Sequence, residues 1–203
     1  MFQLLETIKV KENRLVHIAY HNNRVNASRR ALFGSTSPWD LSEIIQVPKL
    51  DPAVTYRCRF LYTEDPGTAG FIPYEKRVVR KLYLVDCGRL EYSFKYADRG
   101  AFDMLKEGIP DPEQSDILLV KNDRITDTSF SNIILWDGKA WRTPAIPLLK
   151  GTKREYYLDQ KIIHLCDIRT NDLQSYKKAR LINAMLDIDD GDDIPMEHIV
   201  VDW

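Results

Sequence analysis

The residues of this chain best suited to chemistry lie in four short stretches. A lysine stands in Ser93-Phe94-Lys95-Tyr96-Ala97-Asp98-Arg99, followed by Thr126-Asp127-Thr128-Ser129-Phe130-Ser131-Asn132-Ile133 and by Leu149-Lys150-Gly151-Thr152-Lys153-Arg154. Upstream runs His21-Asn22-Asn23-Arg24-Val25-Asn26-Ala27-Ser28. A primary amine can condense with a carbonyl and later return as a general base. A glycine-led helix start offers backbone N–H donors to a phosphate dianion, and a guanidinium adds charge-assisted ones. Each piece also has a plainer reading. A lysine on an amphipathic helix is usually solvated, Asp127 would serve as a turn residue after Arg124, and Arg24 as an exposed helix arginine.

The elements around these residues can be read from periodicity. Residues 4–10 and 14–18 form two short strands about the polar turn Lys11-Glu12-Asn13. The period then changes: Val25, Ser28, Leu32 and Phe33 share a helical face across residues 21–33, Arg24, Arg29 and Arg30 stay on the polar side, and Gly34 ends the helix. Another helix starts near Ser37-Pro38-Trp39-Asp40-Leu41. Residues 56–62 and 77–85 are β-rich and expected to be neighbours in one sheet, and Asp86-Cys87-Gly88-Arg89 marks a domain connection. In the second half, residues 94–105 form a helix, 116–120 and 131–136 strands, 151–158 a helix, 162–168 a strand and 171–178 a capped helix. The acidic run of residues 187–193 is a solvated turn before a last strand.

At 203 residues, with 29 basic and 30 acidic side chains and 44 % hydrophobic residues, the chain is globular and has no global pull toward nucleic acid or an anionic membrane. Cys58, Cys87 and Cys166 are far apart and read as reduced thiols, and neither they nor His17, His21, His164 and His198 show metal-ligand spacing. The start lacks a basic leader with a long apolar run, and no apolar segment approaches the roughly 20 residues that span a bilayer. A cytoplasmic protein with no metal is expected.

In order and spacing, the four stretches resemble the class IV aminotransferases, the fold type IV enzymes of pyridoxal 5'-phosphate. The likeness runs from Leu5-Glu6-Thr7-Ile8, similar to the family's Phe-Glu-Thr-Ile strand, to Pro195. It implies that Lys95 carries the cofactor aldehyde and acts as the base, and that Asp127 lies under the pyridine nitrogen, keeping it protonated so that the ring can draw electrons. Arg99 would meet the phenolate oxygen. Arg24 and the amides of Thr152 and Lys153 would hold the phosphate, with Asn183 and Ala184 of Leu181-Ile182-Asn183-Ala184-Met185 as a third contact. Only the backbone of Lys153 is invoked, so its side chain is expected to matter little. Arg57 or Arg59 would meet a substrate carboxylate, Arg59 being preferred. Three departures stand out: Asp127 replaces the usual Glu, Thr128 a Gly, and the pair Lys150 and Lys153 a Pro and a Thr. The family's N-terminal hairpin ahead of the first strand has no counterpart here.

The resemblance implies an α/β chain of the α+β type, built like D-amino-acid aminotransferase from two small domains, 1–86 and 87–203, with the cofactor at their interface, Lys95 on the second, and a homodimer. Lys95-x-x-Asp98-Arg99 and Asn183-Ala184 are most similar to aminodeoxychorismate lyases, which eliminate pyruvate to give p-aminobenzoate for folate biosynthesis. A transaminase of a small amino acid, of branched-chain or D-amino acid type, is the first alternative. A relative that binds a ligand without turnover is the second.

Overall fold

The structure, a computed structural model, describes residues 2–201, so the outer ends of both expected domains, Met1, Asp202 and Trp203, lie outside the described residues. Among the described residues the chain forms two compact units, Met1–Glu75 with Phe94–Asp98, and Lys76–Ser93 with Arg99–Trp203. The division thus falls after Glu75 rather than after residue 86, and the lysine segment groups with the first unit rather than the second.

The first unit is a four-stranded sheet of order β2-β1-β3-β4, built from β1 (Leu4–Lys11), β2 (Arg14–Leu15), β3 (Tyr56–Tyr62) and β4 (Pro66–Pro73), together with α1 (Ile18–Phe33) and the short α2 (Leu41–Ile44). Glu12 and Asn13 both adopt positive φ, 51° and 58°, as the tight β1–β2 turn requires. Period-2 alternation points Leu4, Glu6, Ile8 and Val10 of β1 inward, and register sets Leu4 against Tyr62, Glu6 against Phe60 and Ile8 against Cys58. Val25 of α1 and Leu41 of α2 close this core. Gly34 ends α1 in the left-handed region at φ 70°, its amide 3.2 Å from the Arg30 carbonyl, as the sequence indicates.

The second unit is built on a nine-stranded sheet. β5 (Lys81–Asp86), β6 (Ser115–Lys121), β7 (Arg124–Thr128), β8 (Asn132–Trp136), β9 (Trp141–Pro144) and β10 (Ile163–Cys166) form its main path. β11 (Lys178–Ile182) pairs with β8 and with β12 (Ile194–Pro195), while β13 (Ile199–Val200) pairs with β5. Two helices belong to this unit, α3 (Gly100–Leu105) and α4 (Thr152–Asp159). Alternation along β8 covers the sheet on both faces: Ile133 and Leu135 enter the main core with Leu82, Leu118 and Leu181, and Ile134 packs with Tyr157 of α4.

Several sequence expectations are corrected. β3 and β5 belong to different sheets, and the neighbour of β3 is β4, whose Pro-Gly-Thr-Ala-Gly composition hides a strand tolerable only at a sheet edge. The helix expected over residues 94–105 begins only at Gly100. Residues 94–98 run extended along β1 instead, because β2 pairs only at Val10 and Lys11 and leaves the other end of that edge to be bonded. Leu5 N donates to Lys95 O at 2.9 Å and Ala97 N to Gln3 O at 2.8 Å. The half-buried Phe94 and Tyr96 pack on the first core and anchor the segment. Asp127 lies in a strand rather than a loop, and the expected helix over 171–178 is a 3-10 turn, Thr170–Ser175, followed by β11.

Candidate active site

In the first unit the functional groups gather around Glu6. It sits in phase with Leu4, Ile8 and Val10 on the inward face of β1 and is wholly buried. A lone buried carboxylate would be costly. Here α1 supplies the partners: Arg24 donates Nε to Oε1 at 2.8 Å and Nη2 to Oε2 at 2.6 Å, and His21 Nδ1 lies 2.5 Å from Oε2. Burial alone would raise the Glu6 pKa, but the Arg24 charge and the His21 hydrogen bond outweigh it and hold the carboxyl at about 2. His21 is itself pushed below its ordinary value, first by burial and also by the Arg24 and Lys95 charges, against the pull of Glu6. The ring is therefore neutral at pH 7, with its proton on Nδ1 directed at Glu6.

Because the folded pKa of Glu6 is depressed, its stabilisation is complete above the unfolded value near 4.5 and is lost as pH falls toward 2. Glu6→Gln should remove about 3 kcal/mol of pH-dependent stability from that window. Urea midpoints measured between pH 2 and 5 should show a flattened acid limb. An acid limb identical to that of the wild type would assign the titration to other carboxylates.

Lys95 is half-buried, held by the backbone pairing of its segment, and its charge is felt at His21. Arg57 and Arg59 of β3 are both exposed and lie two residues apart, so alternation puts both on the face away from the core and does not choose between them.

In the second unit Asp127 is the centre. It is buried on β7, directly opposite Asn132 of β8. Its Oδ1 accepts from Asn132 Nδ2 at 2.6 Å and its Oδ2 from Leu149 N at 2.8 Å. Burial outweighs these donors and raises its pKa to about 6. Asn132 Nδ2 also donates to Leu149 O at 2.9 Å, which ties the carboxylate to the strap that enters α4. That helix starts at Gly151 with no side-chain cap, and Thr152, Lys153 and Arg154 of its first turn are all buried. A pocket of about 220 Å3 in this unit is lined by Lys121, Arg124, Thr126 and Leu148 and not by Asp127. By strand alternation Thr126 points to the other face of β7.

Lys153 does more than lend its amide. Its side chain is 1 % exposed, ion-paired to Asp187 and near the Tyr157 ring, its Nζ 5.7 Å from the centroid. Tyr157 Oη in turn accepts from Ile188 N at 3.0 Å, so the acidic turn is pinned to α4. The expectation that Lys153→Thr is silent is therefore revised. Removing one partner of a buried pair costs about 3 to 5 kcal/mol. Asp187 is 33 % exposed and can regain water, so thermal or urea unfolding should show a loss of about 2 kcal/mol.

Arg99 directs Nη2 at the Ser129 carbonyl and packs over Phe102, 4.7 Å from its centroid. Asn183 spends its side chain on its own turn: Oδ1 accepts from Met185 N and Leu186 N at 2.8 and 3.0 Å, and Nδ2 donates to Ser131 Oγ at 2.8 Å. Ala184 follows it within that turn. Arg99, Asp127, Thr152, Lys153, Asn183 and Ala184 thus belong to the second unit, and Arg24, Arg59 and Lys95 to the first. Sequence reasoning gave no role to Glu6, His21 or Asn132. The available signal for Glu6 was an acidic residue in phase with three inward apolar ones.

Among the described residues no group of three or more His, Cys, Asp or Glu could hold a metal ion, and no helix is long and apolar enough to cross a membrane. Residues 3–188 match the family model described as amino-transferase class IV. An uncharacterized protein of Haemophilus influenzae is 32 % identical over 189 residues, covering 91 % of this chain and 98 % of that protein. A Haemophilus somnus structure provisionally named as a 4-amino-4-deoxychorismate lyase superposes with a TM-score of 0.83 at 32 % identity, covering 91 % of this chain and 97 % of the other. The PLP-bound form of a hypothetical aminotransferase from Mycobacterium tuberculosis shares the fold, with a TM-score of 0.73 at 16 % identity over 95 % of this chain and 80 % of that one.

Proposed function

We propose, from the premise that this chain belongs to the class IV aminotransferase family, that it is a pyridoxal-phosphate enzyme of lyase type. It would eliminate pyruvate from aminodeoxychorismate or a closely similar amine and leave p-aminobenzoate. The observation that carries the lyase reading is the likeness, at 32 % identity across nearly the whole of both chains, to the Haemophilus somnus structure provisionally named for that activity. Lys95-x-x-Asp98-Arg99 and Asn183-Ala184 point the same way. Action in the cytoplasm as a homodimer belongs to the same reading.

The donor set fits the cofactor. Asp127 is a buried carboxylate on β7, the kind of acceptor that a pyridinium nitrogen needs. The first turn of α4, whose N-cap Gly151 makes no side-chain cap, suits a phosphate dianion in the second unit, and the Arg24 guanidinium of the first unit is of the type that binds one. When bound, pyridoxal phosphate supplies an aldehyde for the substrate amine and a ring that takes up the electron pair left by a departing proton. Lys95 would be the base that takes that proton. Asp127, with a pKa near 6, is mostly ionised at pH 7 and would hold the proton of the ring nitrogen. Glu6 grips Arg24 along its Nε/Nη2 edge and so holds the guanidinium in place.

Product analysis tests this reading. Incubation with aminodeoxychorismate should release pyruvate and p-aminobenzoate in equal amounts, with no keto acid required. Amino-group transfer between amino-acid and keto-acid pairs, with no pyruvate from aminodeoxychorismate, would replace the lyase with a transaminase.

A further inference from the structure

The Asn132 side chain joins the Asp127 carboxylate to the strap leading into α4. Both protons of its amide are used, one on Asp127 Oδ1 at 2.6 Å and one on Leu149 O at 2.9 Å, while Leu149 N closes the ring on Asp127 Oδ2 at 2.8 Å. Its own oxygen fills the space beside Gly151, where an added Cβ would come within 1.9 Å of Oδ1. Asp127 and Asn132 face each other across a tight turn in which Thr128 N donates to Ser131 O at 2.9 Å. The amide is thus braced from β7, from β8 and from the helix start.

We infer that Asn132 is a positioning residue that fixes the plane of the Asp127 carboxylate and its spacing from the α4 first turn. The inference rests on the pyridoxal-phosphate reading, in which one rigid cofactor spans those two points. A terminal carboxylate torsion is soft and roughly two-fold. With Asn132 Nδ2 on Oδ1 and Leu149 N on Oδ2, rotation would break both bonds at once. An alanine would leave only backbone donors, those of Leu149 and Leu148, and an aspartate would set a second carboxylate against the first. The glycine at 151 follows from the same packing, because any side chain there would displace the amide.

The test separates positioning from mere folding. The other titratable groups that face Asp127 among the described residues are Arg154 of α4 and Cys87, just beyond β5. Neither is altered by Asn132→Ala. In the apoprotein, carboxyl carbon NMR should show Asp127 titrating at least about one pH unit higher in Asn132→Ala than in the wild type, since the charged form loses a donor. Pyridoxal-phosphate affinity of the same variant should fall about tenfold. Gly151→Ala, which keeps Asn132 but drives it aside, should give the same two changes and serves if the first variant does not fold. A wild type that takes up no pyridoxal phosphate would sink the functional reading itself. A wild type that binds it, with variants that bind equally well or an Asp127 titration that does not move, would overturn the inference about Asn132 alone.

Discussion

Lys95→Ala is expected to lower turnover on the order of 10^4-fold, the upper range for removal of a positioned general base. The fold should survive. The lysine segment is held through the Lys95 carbonyl, the Ala97 amide and the packing of Phe94 and Tyr96. The Lys95 side chain is only half-buried, so unfolding free energy should change by less than about 1 kcal/mol. Partial recovery of activity by a small primary amine added in solution would show that the missing function is the amine. A variant retaining a tenth or more of wild-type turnover would mean that another residue moves the proton.

The second large effect has two signs. Asp127 is raised from 3.8 to about 6 by burial, so the native state binds a proton more tightly than the unfolded chain does. Stability is therefore greatest below about pH 4 as far as this group is concerned, and it declines as pH rises through 6. Asp127→Asn removes the charge that burial disfavours. The apoprotein should gain about 2 to 3 kcal/mol above pH 6 and almost nothing at pH 4. Turnover should move the other way, falling about 10^2-fold or more if, as proposed, this preorganised charge serves the cofactor ring. Urea unfolding at pH 4 and 7, beside a turnover assay, reads both. A variant less stable than the wild type at pH 7 would show that the hydrogen bonds to Asn132 and Leu149 outweigh the burial of charge.

The class IV family, the α/β class and the terminus of α1 were legible in the sequence, because short motifs and a glycine at φ 70° are local signals. The partition of strands was not. β3 and β5 look alike as alternating runs, and only tertiary pairing places one beside β1 and the other beside β6. The edge strand β4 carries proline and glycine where a strand usually shows branched residues. The setting of Lys95 was not legible either: Phe94 and Tyr96 have helical neighbours in sequence, yet the open edge of β1 draws the segment into extended pairing. Lys153 was misjudged because a motif comparison counts backbone donors and cannot see a buried ammonium paired with an aspartate 34 residues away. Asn132 shows no task within its motif, since its contacts depend on Leu149 and Gly151 arriving from another part of the chain.

The central claim, that Lys95 carries the cofactor, is tested most directly by reducing the pyridoxal-phosphate-loaded protein with sodium borohydride and mapping the modified peptide. Visible absorbance should disappear on reduction, and a single pyridoxyl group should be found on Lys95. A pyridoxyl group on Lys81, Lys106 or Lys121, or a protein that gains no visible absorbance with the cofactor, would contradict it.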